Sequence, residues 1–181
     1  MKILIAGGTG ALGQRIGADL AKRDHEIVIL TRSPRADGPF RQVGWDGRSV
    51  GSWSSKLQDA VLINLAGELV DKRPTRANIE LLRRSRVEPT SALAEASRQH
   101  APALWIQGSS TAIHGDAGDA IITEESPIPE GPPQMPGMAR PWEQAAQAAE
   151  VLRQVIFLAP EKLSSLEIRA LGGLFFPQGF R

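Results

Sequence analysis

The chain has 181 residues, 41% of them hydrophobic and 23% charged, with a formal net charge of +1 at pH 7. This length suits a single domain spanning 1–181 around one core, and the near-neutral balance leaves no basic field to attract nucleic acid or an anionic membrane. There is no cysteine and no tyrosine, which excludes disulfides, thiolate nucleophiles and thiolate metal ligands.

No apolar run approaches the roughly 20 residues that a bilayer span requires. Met1-Lys2 is followed by only Ile3 to Ala6 before glycines intervene, so no signal peptide is expected. The expectation is a cytoplasmic protein.

Lys2-Ile3-Leu4-Ile5-Ala6 is an unbroken apolar run of the kind that fills a strand buried on both faces of a parallel sheet. Glycines follow. Leu12, Ile16 and Leu20 then recur at helical spacing, which predicts a helix from about Ala11 to Lys22. Glu26 to Leu30 reads as a second strand, and a loop-rich stretch from Ser33 to Ser55 holds a short third one near Gln42 to Trp45. Ala60 to Leu65 is a fourth strand that exits at Ala66-Gly67. Thr75 to Gln99 is helical, with Pro89 implying a kink or a restart. Ala103 to Gln107 is a fifth strand. After a proline-rich connection from Ser109 to Pro141, a helix opens at Trp142 and continues through Leu152 towards Phe157; Leu166 to Arg169 is a sixth strand. Strands alternating with helices give an α/β fold with a doubly wound parallel sheet.

Gly7-Gly8-Thr9-Gly10-Ala11-Leu12-Gly13 lies between the first strand and the first helix. A turn this tight needs glycine, a missing Cβ at Gly10 lets backbone approach a pyrophosphate, and Gly13 lets helix and strand pack closely. Free N–H groups at the helix start then face the anion. Because strand, helix and second strand are all in place, the motif points to a dinucleotide cradle.

The second strand ends in Thr31-Arg32-Ser33, where an NAD site places an acidic residue on the ribose 2′-hydroxyl. A carboxylate would repel a 2′-phosphate. Arg32 pairs with one and Ser33 adds a hydrogen bond, so NADP(H) is favoured over NAD(H); the alternative for Arg32 and Arg35 is an ordinary solvated surface.

Together with Asn64-Leu65-Ala66-Gly67, Ser85-Arg86-Val87 with Thr90, Ser109-Ser110 and Trp142-Glu143, the glycine motif resembles the extended short-chain dehydrogenase/reductases. More narrowly it is similar to their atypical epimerase-family branch, related to the NAD-dependent epimerase/dehydratases. The resemblance covers about residues 1 to 175 and implies a Rossmann fold acting on a small molecule. It implies that Leu65, Ala66 and Gly67 line the cofactor's ribose, with Asp46 near the adenine and Ser109 and Ser110 near the nicotinamide. Asp46 is equally readable as a turn residue.

Members of the superfamily generally use a tyrosine and, four residues on, a lysine that stabilises its phenolate. Here Ala139 and Glu143 hold that spacing, and His114 stands where the branch has a tyrosine. Ser109, Ser110, His114 and Glu143 are therefore the candidate catalytic residues. His114 is alternatively a loop histidine, and Glu143 alternatively a helix-start carboxylate favoured by the macrodipole. The substrate-binding C-terminal part is expected to be short or missing. Leu174, Phe175, Phe176 and Phe180 near the end suggest an apolar patch and a homodimer. Two functions follow: an NADP(H)-dependent epimerase-like oxidoreductase, or a non-catalytic dinucleotide-binding sensor or interaction module.

Overall fold

A computed structural model describes residues 1–71, 73–115, 118–119, 121–123, 125–128, 135–149 and 155–158. Its strands are β1 (Lys2–Ala6), β2 (Glu26–Thr31), β3 (Arg41–Gly44), β4 (Val61–Asn64), β5 (Leu104–Gly108) and β6 (Val155–Leu158). The helices are α1 (Ala11–Ala21), α2 (Arg76–Gln99) and α3 (Met135–Gln147), with short 3-10 turns at Ser52–Lys56 and Thr111–His114.

All six strands run parallel, in the order β3-β2-β1-β4-β5-β6. From β1 the chain steps outward through β2 to β3 and then crosses back to β4 on the other side of β1, so the carboxyl end of β1 lies at the point where the winding reverses.

Strand residues alternate between two cores, as the period of two requires. Ile3, Ile5, Ile27, Ile29, Val61, Ile63 and Ile106 face one side, where Leu20 and Ile16 of α1 cover them. Leu4, Ala6, Val28, Leu30, Leu62 and Trp105 face the other, packed by Leu93 and Ala96 of α2 and by Ala146 of α3. Both faces are thus buried, which explains the unbroken apolar runs in the sequence.

Three expectations are corrected. Pro89 causes no restart: α2 is one continuous helix, and the buried proline ring packs near Gly47 in place of the hydrogen bond its nitrogen cannot make. The last helix starts seven residues before Trp142, at Met135, with Pro136 in its first turn, where a missing N–H is harmless, and Pro141 inside it. Nor does helix run into Phe157. Val155–Leu158, rich in branched and aromatic residues, forms β6 beside β5. The strand expected at Leu166 to Arg169 and the apolar cluster from Leu174 to Phe180 lie outside the described residues.

Candidate dinucleotide site

Because the sheet is parallel, the carboxyl ends of β1, β2, β3, β4 and β5 share one edge. The candidate cofactor residues gather there. Gly7 leaves β1 with φ +75°, a left-handed conformation that strains any side chain. A Cβ on it would also sit 2.7 Å from the Leu65 carbonyl oxygen, so the glycine turn and the segment after β4 are in direct contact. Gly13 is equally constrained, since a Cβ there would lie 2.5 Å from Gly8 Cα. The turn is further pinned by Gly10 N–H donating to the Gly7 carbonyl at 3.1 Å, and by Gln14 Nε2 donating to the Gly8 carbonyl at 2.7 Å.

Gly10 is different. Its φ of −73° suits any residue, and among the described residues a Cβ would meet only the Gly7 oxygen, at 3.5 Å. Nothing among the described residues requires glycine at this exposed position. Gly10 is also the N-cap of α1, with no side-chain cap bond and no acidic residue in the first turn. The N–H groups of Ala11, Leu12 and Gly13 thus open a helix with an uncompensated positive end. The cradle fits a pyrophosphate, which would occupy the space a Cβ would fill and satisfy those donors.

At the end of β2, Arg32 and Arg35 separate. Arg35 forms a two-pronged pair with Asp37, at 3.1 and 2.9 Å. Arg32 is exposed and has no ion-pair partner among the described residues. Ser33 N–H donates to Thr31 Oγ1 at 3.4 Å. Asp46 follows β3 and closes a turn, its Oδ1 accepting from Arg48 N–H and Ser49 N–H, both at 2.8 Å. Those backbone donors hold its carboxyl below the usual range.

The segment after β4 is held from below. Asn64 is fully buried, and its Oδ1 accepts from Ala66 N–H at 3.1 Å. Its Nδ2 donates to Thr90 Oγ1 at 2.9 Å and to Gln107 Oε1 at 3.0 Å. Thr90 Oγ1 also accepts from Trp142 Nε1 at 3.1 Å and donates to the Arg86 carbonyl at 2.7 Å, which saturates the hydroxyl. Gln107 Oε1 takes Trp105 Nε1 at 3.1 Å. One polar network therefore joins β4, α2, β5 and α3 beneath Leu65-Ala66-Gly67.

Ser109 lies just past β5, and its hydroxyl donates to Glu143 Oε1. The two residues are 34 positions apart, and the sheet edge brings them together. Glu143 is in the second half of α3, so its reading as a helix-start carboxylate is overturned. Ser109 and Ser110 are both buried. His114 ends the 3-10 turn half-buried, with Nδ1 shielded from water and unpartnered among the described residues. No hydrogen bond joins it to Ser109 or Glu143 among those residues. Ala139, at the spacing where a tyrosine would be sought, is a fully buried methyl group.

In the sequence Asn64, Thr90 and Trp142 stand out only as pattern, and Gln14, Gln107 and Arg86 carry no evident role. Polar side chains on predicted strands and helices, at Asn64, Gln107 and Thr90, were the available signal, because buried polar groups must find partners.

The model of the NAD dependent epimerase/dehydratase family matches residues 3–150. The chain belongs to that family. An epimerase family protein of Staphylococcus haemolyticus is 36% identical over 113 residues, covering 60% of this chain and 37% of that one. The chain thus spans little more than a third of the length of this relative.

Among solved structures, the nucleoside-diphosphate sugar epimerase of Corynebacterium glutamicum superposes with a TM-score of 0.72 at 30% identity, over 88% of this chain and 33% of that one. A human epimerase family protein solved with NADPH gives 0.71 at 23% identity, over 95% and 59%. MoeE5 in complex with UDP-glucuronic acid and NAD gives 0.73 at 22%, over 88% and 54%. These last two likenesses concern the fold, which is the Rossmann α/β fold. No helix among the described residues is long and apolar enough to cross a membrane.

Proposed function

We propose that residues 1–181 form one dinucleotide-binding domain that takes NADP(H) in preference to NAD(H) and serves an epimerase or oxidoreductase acting on a small molecule, a nucleoside-diphosphate sugar being the class suggested by the relative from Corynebacterium glutamicum. The observation that carries the dinucleotide reading is Gly10, a glycine that neither backbone angle nor packing requires, at an uncapped helix start. Arg32 carries the preference: it stands where the fold selects between cofactors and has no partner among the described residues, whereas Arg35 is engaged by Asp37. Thr9, Ala11 and Leu12 complete the cradle, Thr31 and Ser33 flank the 2′-phosphate, and Asp46 borders the adenine.

Bound dinucleotide supplies hydride exchange, and the chain supplies placement and proton handling. Ser110 polarises the substrate oxygen, and Ser109 does so when its hydroxyl turns from Glu143 towards the substrate. Glu143 accepts the Ser109 hydrogen bond and is the acid/base candidate with a partner in place; His114, whose Nδ1 has no partner among the described residues, is the other. The second reading, a non-catalytic NADP(H)-binding module, is favoured by the buried methyl of Ala139 at the position expected for a tyrosine.

Titration with NADPH and NADH, followed by turnover assays on carbonyl compounds and nucleotide sugars, tests both readings. NADPH should bind more tightly than NADH, and Arg32→Glu should weaken NADPH by about tenfold or more while sparing NADH. Turnover lost in Glu143→Gln supports the enzyme. Tight NADPH binding without turnover leaves the binding module, and no binding of either nucleotide overturns both.

A further inference from the structure

Arg86 of α2 is a cation only 9% exposed, and no carboxylate forms an ion pair with it among the described residues. Burial pulls its pKa down, partly offset by the charge of Glu68. Its Nε has no hydrogen-bond partner among the described residues. A buried, incompletely satisfied guanidinium is costly, so its surroundings must be arranged to keep it there.

They are. Nη2 donates to the Glu68 carbonyl at 2.9 Å, and Nη1 to the Leu82 carbonyl at 3.3 Å. The guanidinium carbon lies 5.3 Å from the centre of the Trp142 ring, in range for a cation–π contact. Gly67 also rests against it: a Cβ at Gly67 would be 2.9 Å from that carbon. Neighbouring Ser85 Oγ accepts from Glu68 N–H at 3.0 Å. Arg86 thus fastens the backbone of Gly67-Glu68 to α3, one residue before Glu143.

Topology gives this contact a consequence. With the pyrophosphate at the β1–α1 turn and the 2′-phosphate end beside β2, the other half of a dinucleotide must cross to the β4–β5 side. There it meets Leu65 to Glu68. We infer that Arg86 is a positioning residue which, by clamping Gly67-Glu68 against Trp142, sets the floor for the half of the dinucleotide beyond the pyrophosphate. This rests on the dinucleotide reading above.

The test compares NADPH with 2′,5′-ADP, which carries only the adenosine end, on the full chain. Arg86→Met keeps the aliphatic stem and removes the clamp. It should weaken NADPH about tenfold and leave 2′,5′-ADP within about twofold. Arg86→Lys, which keeps the charge but not the fork, should fall between. Gly67→Ala attacks the same contact from an exposed position and should show the same selective loss. Arg86→Lys carries the test alone if Arg86→Met does not fold. The double variant should lose no more than the worse single one, since both break one contact. Equal weakening of the two ligands, or of neither, overturns the Arg86 assignment alone. Failure of the unmodified chain to bind either ligand overturns the dinucleotide reading and this inference together.

Discussion

At the scale of single residues, the glycines of the first turn serve different masters, and mutation separates them. Gly13 is a packing glycine whose added Cβ would collide with Gly8 Cα at 2.5 Å. Gly13→Ala should therefore destabilise the domain by about 1–3 kcal/mol, the usual cost of forcing extra atoms into a close-packed contact. Gly10 has room for a side chain and ordinary backbone angles. Gly10→Val should leave the urea midpoint almost unmoved and abolish NADPH binding by filling the space meant for the pyrophosphate. Equilibrium unfolding and nucleotide titration on the same two variants would show the crossed pattern. Equal effects of both substitutions on both measurements would remove the distinction on which the cradle rests.

At the scale of elements, the network under Leu65 to Gly67 explains why chain segments distant in sequence carry matched polar residues. Thr90 accepts from both Asn64 and Trp142 inside the core. Thr90→Val has nearly the same shape but leaves two buried donors unpaired. It should cost about 2–4 kcal/mol in urea unfolding, at about 1–2 kcal/mol per orphaned group. Little of this was legible in the sequence. Strand and helix identity followed from periodicity, so β1, β2, β4, β5, α1 and α2 stand within a residue or two of expectation. What periodicity cannot report is a choice decided by distant partners. Val155–Leu158 is strand because β5 offers an unpaired edge. The α3 start at Met135 was hidden by Pro136 and Pro141, which read as loop until their place in the helix is known. Pro89 was misleading for the same reason: a local helix breaker was overruled by tertiary packing.

At the scale of the whole molecule, the site is legible wherever the parallel sheet edge determines it and illegible wherever side chains meet across the fold. The glycine turn, Arg32 and the exit of β4 follow from chain order alone. The Ser109–Glu143 hydrogen bond and the Arg86 clamp do not, since their partners come from different crossovers.

The charge distribution adds a global pH response. His25, just before β2, has its pKa lowered, first by burial and then by the N-terminal ammonium and Arg23, with Asp24 opposing. Asp46, Asp37 and Glu80 are lowered as well, by backbone donors in the first case and by arginine partners in the other two. For each of these groups the unfolded chain binds protons more readily than the folded one, so stability increases with pH. The His25 contribution is present above its unfolded value of 6.5 and lost as pH falls through the lower folded value. The carboxylate contributions persist to lower pH, beginning to fade below 4.5 for Glu80 and 3.8 for the aspartates. Urea midpoints measured from pH 8 to pH 3 should thus decline in two stages. His25→Gln should remove the upper stage and leave the lower one. Raised salt should blunt the lower stage, because those carboxylates are exposed and screened. A midpoint that rises on acidification from pH 7 to pH 5 would contradict the sign assigned to His25.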